Sequence, residues 1–225
     1  MWTDSGCRKG GEIVRKQKQS GQSIVEFAII LPFLLLLIIG MVETAFALRS
    51  YLYVNTACRE GIRFAARGRY TDADTARWML ASGGYTRLNN QQVPFFRTTN
   101  PEPNTGIIIT RIPIQANGNI GQQVRYITGT ITLASGGNVS TVPLSENDSR
   151  VAREVNIARH RDETIAINQQ RVAQGYEALD NQVVVVEVFY AHRTLWNYEP
   201  LGFPRVLNLY SRSVMRVVSD ARQTQ

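Results

Sequence analysis

The fold of this chain is decided by residues 21–68, which read GQSIVEFAIILPFLLLLIIGMVETAFALRSYLYVNTACREGIRFAARG. Within this stretch, the nineteen residues from Ile24 to Val42 carry a single charge, at Glu26. A helix that crosses the hydrocarbon core of a bilayer needs about 20 apolar residues. The helices of a soluble protein are rarely apolar on every side over this length. The stretch therefore predicts a membrane-spanning helix.

The helical pattern continues beyond the apolar run. Small and apolar residues recur at alternating steps of four and three, which defines one face of a helix. The predicted packing face consists of Ala47, Tyr51, Val54, Cys58, Gly61 and Ala65. Gly68 is a typical helix stop, so the predicted helix runs from Gln22 to Arg67. Pro32 lies inside it and is expected to kink the helix or loosen one turn.

The distribution of charge predicts how the chain lies in a membrane. The net charge of +7 divides into +3 within residues 1–21 and +4 over the remaining residues. Five Lys or Arg residues precede the apolar run and none lies inside it. The positive-inside rule then places the N-terminus in the cytoplasm and residues 50–225 outside. The arginines after residue 48 are scattered, which argues against a nucleic-acid-binding surface.

The rest of the chain predicts an α+β head with an antiparallel sheet and helices. We expect three parts: a cytoplasmic leader (1–21), a transmembrane and amphipathic helix (22–68) and an extracytoplasmic head (69–225). Alternation of β-branched residues and helical periodicity indicate the elements of the head. The predicted helices are 72–82 and 149–176, the predicted strands are 107–114, 123–133, 182–192 and 210–219, and the predicted loops are 85–106 and 134–147. The strand 182–192, QVVVVEVFYAH, is apolar on both faces and is expected to be central.

The sequence contains little material for a metal centre or a catalytic site. Cys7 lies in the leader and Cys58 lies on the predicted packing face, so the two cannot pair across the membrane. His160 and His192 are 32 residues apart and have no companion residues in a metal-binding motif. No local context supports a nucleophile with its base. We therefore expect neither a metal nor a cofactor, and no enzymatic activity.

The junction KQKQSGQSIVEF, residues 16–27, resembles the type IV prepilin cleavage signal: a basic stretch, a glycine, and a glutamate five positions later. The wider run 21–68 is similar to the TadE-like family of pseudopilins from the tight-adherence pilus apparatus. In that family a V-E-F/Y-A-L-x-x-P-type membrane helix, here Val25 to Pro32, continues into an alanine- and arginine-rich stretch, here Ala57 to Ala65. Residues 182–218 resemble the end of the family's chains, whereas residues 70–180 match nothing in it.

The resemblance implies an assembly role rather than chemistry. A prepilin peptidase of the membrane would cut after Gly21 and free the amine of Gln22. Glu26, Phe27 and Pro32 would belong to the part of the helix that assembles with other pilin or pseudopilin subunits. The protein would then be a minor pilin-like component of a bacterial tight-adherence type IV pilus or a related secretion apparatus. It would span the inner membrane once, and it could enter the fibre that serves cell adhesion.

Three alternatives remain open from the residues alone. Glu26 could sit in the first helical turn only because the helix dipole favours an acid there. Ala45-Phe46-Ala47 fits a signal-peptidase site, which would release a secreted domain that begins at Leu48. The chain could also keep its leader and serve as a permanently anchored binding or scaffold protein. The mature N-terminus distinguishes the last two from processing after Gly21.

Overall fold

The long N-terminal helix is the first element of the structure. The computed structural model describes residues 22–68, 70–88, 91–99, 102–135, 138–194 and 205–218. Helix α1 runs from Gln22 to Ala66, which confirms the predicted helix to within one residue. Gly68 follows it with φ of 69°, the left-handed conformation that commonly ends a helix and that glycine adopts without strain.

The chain divides into two compact units, one that ends at Val42 and one that begins at Glu43. The division falls inside α1, so the amphipathic second half of this helix belongs to the same unit as the head. The sequence pattern had placed the start of the head at residue 69, where the helix ends. The second half of α1 contributes to the core of the head.

A five-stranded antiparallel sheet forms the centre of the head, which confirms the predicted fold class. Its strand order is β5-β4-β3-β6-β7. The bounds are β3 Thr105–Ile114, β4 Val124–Ser135, β5 Asn138–Pro143, β6 Asn181–Arg193 and β7 Val206–Val218. Strand β3 occupies the middle, and β6, the strand predicted to be central, is paired on both sides by β3 and β7.

Two segments predicted as loops contain strands. A small separate sheet pairs β1 (Tyr85–Leu88) with β2 (Gln91–Pro94), and β5 lies at one edge of the main sheet. These strands are short and polar, so the apolar alternation that reveals a half-buried strand is weak in them. Strand β7 also begins four residues before the predicted start at Tyr210.

The predicted helix 149–176 is interrupted. A short 3-10 turn at Glu146–Asp148 precedes helix α3 (Val151–Glu154), and helix α4 runs from Ile157 to Ala173. Val155 between them is extended, with φ of −106° and ψ of 119°. The Asn156 side chain accepts a hydrogen bond from the backbone N–H of Arg159 and so starts α4 anew. Helix α2 (Asp72–Ser82) is as predicted, and Thr71 caps it through a reciprocal pair of hydrogen bonds with Asp74.

Both faces of the main sheet are covered, which explains the unbroken apolar run of β6. Its even-numbered residues face the second half of α1 and helix α2. Its odd-numbered residues face the opposite side, where α3 and the segment around Leu144 pack. Four successive valines, 183–186, are therefore fully buried. Burial on both faces makes a strand read as continuous rather than alternating.

Candidate functional site

The first part of α1 has the surface of a membrane helix. Its best 18-residue window has a mean hydropathy of 2.8, and none of that window is buried. Large apolar side chains project in every direction; Phe27, Phe33 and Met41 are each more than 60% exposed. Among the described residues, one helix is long enough and apolar enough to cross a membrane, and it is α1. Since apolar surface of this extent is unfavourable in water, the helix fits a single-pass membrane protein.

Glu26 is the acidic group of this apolar surface. Gln22 is the first residue of α1, and no acidic residue lies in the first turn. Glu26 therefore lies one turn further in, where its side chain is exposed on the helix surface. A carboxylate among lipid-facing side chains is costly, by about 3 kcal/mol at the centre of a bilayer and less toward its surface. Glu26 also lies outside the first turn, which is where the helix dipole most favours an acid.

Two further sequence predictions concern this segment. The chain is helical through Pro32. The missing N–H of proline leaves the carbonyl one turn earlier without its helical donor. The kink at this point stays a prediction. The leader, with Gly21 and Cys7, lies outside the described residues.

The predicted packing face of α1 is buried inside the head. Val54, Cys58 and Ala65 are at most 1% exposed, and Gly61 is buried with them. Ala47 is half-buried, whereas Tyr51 is 44% exposed and does not belong to this face. This face of α1 is thus occupied by the protein's own sheet and α2. Ser50, Ala57 and Ile62 complete it.

Close contacts on this face require small residues. A Cβ atom at Gly61 would collide with the Met79 side chain of α2. The Cys58 thiol donates a hydrogen bond to the carbonyl oxygen of Val186, at 3.2 Å. Burial raises the pKa of Cys58 to about 11, so the thiol stays protonated and unreactive at neutral pH. Cys58 is therefore a packing residue.

His192 forms a cluster that its sequence context did not reveal. At the end of β6 its Nδ1 lies 3.1 Å from Ser50 Oγ, and its Nε2 lies 3.5 Å from Glu43 Oε1. The sequence shows only that His192 ends a predicted strand, because the other two residues are more than 140 positions away. The cluster joins a serine, a histidine and an acid, but Ser50 is only 4% exposed. These contacts join α1 to the end of β6.

A second buried acid, Glu187, also interrupts an apolar strand. Glu187 is fully buried and accepts hydrogen bonds from Ser149 Oγ at 2.6 Å, Arg150 N at 2.8 Å and Tyr210 Oη at 2.9 Å. Burial and the Glu187 carboxylate both raise the pKa of Tyr210, which keeps the phenol protonated as a donor. The Arg150 guanidinium lies 4.4 Å from the centre of the Tyr210 ring. This network fixes the start of α3 on the sheet.

Arg111 on β3 ties three elements together. Its Nε and Nη2 bind the Asp72 carboxylate, with Nη2–Oδ1 at 2.6 Å, and its Nη1 donates to Gln182 Oε1 at 3.1 Å. Nη2 also lies 3.4 Å from the carbonyl oxygen of Ala65, at the end of α1. The described part of the chain contains no group of three or more His, Cys, Asp or Glu residues that could hold a metal ion.

Comparison with known families gives one match. Residues 21–63 match the family model described as TadE-like protein. This confirms the resemblance over the apolar part of α1 and most of its amphipathic part. No curated protein and no solved structure matches the chain. The match suggests a component associated with the tight-adherence pilus.

Proposed function

Because residues 21–63 match the TadE-like family model, we propose that this chain is a pilin-like assembly component of a tight-adherence pilus or related secretion apparatus. The observation that carries the proposal is the exposed apolar surface of α1 with Glu26 near its start. This surface suits a helix that resides in the inner membrane and packs against other helices there. The head supports this role without catalysis of its own.

The orientation follows from charge. Five Lys or Arg residues precede α1, so the leader stays in the cytoplasm and the head is extracytoplasmic. In the uncleaved precursor, expressed without a prepilin peptidase, native Cys7 offers a direct test, since the other cysteine, Cys58, is buried. A membrane-impermeant maleimide should label Cys7 only after the cytoplasmic membrane is made permeable. A Gln170→Cys variant, exposed on α4, should react in spheroplasts with that membrane intact. Labelling of Cys7 in intact spheroplasts would contradict this orientation.

Processing occurs after Gly21, by a prepilin peptidase. Glycine suits this position because the absence of a Cβ lets the backbone lie close to the peptidase. Gln22 is the first helical residue, so the scissile bond immediately precedes α1. Cleavage would leave a free amine at the start of α1, about 6 Å along the helix axis from Glu26.

Glu26 serves the assembled state. Its carboxylate pairs with the new N-terminal amine of a neighbouring subunit, and this pair sets the axial register of the two helices. Phe27 and the other apolar side chains supply the packing surface around it. Since the second half of α1 is already buried in the head, subunit contacts of α1 are concentrated before Glu43.

Release of a secreted domain at Leu48 is the weaker alternative. Residues 45–48 are helical within α1, so cleavage there would require the helix to unwind. The segment from Ser50 onward also contributes core residues to the head. A permanently anchored scaffold is the remaining alternative, and it differs only in retaining residues 1–21.

Intact-mass analysis tests the processing step. Co-expression with a prepilin peptidase should remove residues 1–21 from the membrane-extracted protein. Gly21→Arg should leave the precursor at full length, because a long side chain cannot fit where the backbone approaches the peptidase. Gly10→Arg makes the same change within the leader and should be processed normally. A full-length wild type would establish the anchored scaffold, and a mature N-terminus at Leu48 would establish the secreted domain.

A further inference from the structure

One groove of the head is lined by arginine side chains and aromatic rings. It has a volume of about 500 Å³ and lies between α1, the β2–β3 connection and the end of β6. Its lining includes Arg49, Arg97 and Arg193 and one acid, the half-buried Glu102. The three guanidiniums and this one carboxylate leave a formal charge of +2. The nearby His192 and Glu43 are turned toward each other inside the fold.

The guanidiniums differ in how firmly they are held. Arg97 donates to the backbone carbonyls of Glu102 at 3.1 Å and Pro94 at 3.0 Å, and its burial lowers its pKa. Arg193 is 56% exposed and pairs with Glu102 at 3.0 Å. Arg49 is exposed, and its guanidinium lies 5.4 Å from the centre of the Tyr53 ring. Arg49 and Arg193 are therefore the two exposed guanidiniums at the mouth of the groove, and Arg193 is shared with Glu102.

Stacked aromatic rings form the floor. Phe95 stacks on Tyr190 with ring centres 5.0 Å apart, and Tyr53 contacts Phe95 at 5.2 Å. Burial raises the pKa of Tyr190 to about 12, so its phenol remains neutral and adds no negative charge. A cationic rim over a rigid aromatic floor is complementary to an anionic group attached to an apolar body.

The position of Arg49 in α1 indicates what that ligand is. Phe46 and Arg49 follow Val42, the last residue of the apolar run, by four and seven residues, or about 6 and 10 Å of helix. The headgroup region of a bilayer extends about 5–8 Å beyond the hydrocarbon on each side. Phe46 is 42% exposed at this level, as is usual for aromatic residues at a membrane interface. Arg49 starts just beyond this layer, and its long side chain can reach back into it.

We propose that the groove binds the phosphate headgroup of an anionic phospholipid from the outer leaflet of the inner membrane. Arg49 and Arg193 bind the phosphate, and Phe46 lies in the headgroup layer beside the glycerol backbone of the lipid. Basic pockets at membrane interfaces recognise anionic headgroups in this way. Exposed aromatic residues around the groove favour a lipid over an acidic protein partner. This inference rests on the proposed insertion of α1 in the membrane.

Native mass spectrometry of the full-length protein tests this proposal. The protein, in mild detergent, is offered equal amounts of phosphatidylglycerol and phosphatidylcholine with the same acyl chains, and the bound lipids are counted. The wild type should retain mainly phosphatidylglycerol. Arg49→Gln/Arg193→Gln should lower the ratio of bound phosphatidylglycerol to phosphatidylcholine by about tenfold or more, because each charge near an anionic lipid contributes about fivefold. Arg49→Lys/Arg193→Lys keeps both charges and should retain most of the preference.

The matched control removes the same charge elsewhere. Arg59→Gln/Arg153→Gln changes two exposed arginines outside the groove and should leave the lipid ratio unchanged. Equal loss in both double variants, or no preference in the wild type, would overturn the proposal. Loss of bound lipid on addition of inorganic phosphate would assign the groove to a soluble anion instead. Extraction at alkaline pH separates the two proposals: release of the protein from membranes refutes insertion, whereas retention without lipid preference refutes only the lipid site.

Discussion

Gly61 and Met79 provide the sharpest test of where the amphipathic half of α1 packs. A Cβ at Gly61 would overlap the Met79 sulfur and lie 2.7 and 2.9 Å from its Cγ and Cε. Methionine is flexible, but Met79 is 1% exposed and has little space to move into. Overpacking of this kind costs about 1–3 kcal/mol. The gain in helix propensity from glycine to alanine offsets about 1 kcal/mol of that.

We therefore expect Gly61→Ala to destabilise the head by about 1 kcal/mol, a fall of about 2–4 °C in melting temperature for a domain of this size. Met79→Ala should cost about 2–5 kcal/mol through the cavity that it leaves. The double variant removes the three atoms that the new methyl group meets. Its loss of unfolding free energy should be about 1–3 kcal/mol smaller than the sum of the losses in the two single variants, because the two residues are in contact.

Thermal unfolding of the full-length protein in detergent, followed by circular dichroism, measures these values. Gly40→Ala is the matched control on the same helix, because a Cβ there meets nothing within 4 Å outside the helix. It should leave the melting temperature of the head unchanged. Additive losses in the double variant, or a Gly61→Ala protein as stable as wild type, would refute the packing argument. The helix face would then be free for neighbouring subunits.

Three further predictions concern single ionisable groups. Glu187→Ala should destabilise the head by about 3–5 kcal/mol in chemical unfolding, because it leaves buried donors such as Arg150 N–H unpaired. Glu187→Gln should cost less stability, and equal costs for the two variants would contradict the hydrogen-bond network. Because the pKa of Cys58 is raised, its native thiol keeps a proton that the unfolded thiol loses above about pH 9. The difference in free energy of unfolding between the wild type and Cys58→Ala should therefore fall between about pH 9 and 11. A difference that stays constant over this range would argue against a buried thiol. Glu26→Gln should still be processed after Gly21 but should co-purify less with other pilus subunits. Normal co-purification together with slower processing would instead make Glu26 a recognition element for the peptidase alone.

Several features of the structure were predictable because they depend on neighbouring residues in the chain. The apolar character of 24–42 is a sum over a local stretch, and the caps Thr71 and Gly68 act within one turn. The strand 181–193 was evident from its valines, since β-branched residues favour strands. Such features follow from local composition, periodicity and capping, whatever the rest of the fold does.

Other local patterns were misleading where tertiary contacts decided. The polar strands β1, β2 and β5 carry little apolar alternation, and pairing alone makes them strands. The helical periodicity of 149–176 does not show the break at Val155, which is buried against the sheet in an extended conformation. Helix periodicity also assigned Tyr51 to the packing face, whereas the sheet covers the neighbouring Ser50.

The sequence by itself determined that the chain has a membrane-type helix, a basic leader and an α+β head, because hydropathy, charge and periodicity are local sums. Only the tertiary structure decided which partner the second half of α1 has. It also brought His192 to Ser50, Arg111 to Asp72, and the arginines of the groove to one rim. These residues are separated by tens to more than a hundred positions, and the pairing and packing of the sheet set their distances. No local pattern encodes such a distance, because it exists only once the strands have paired.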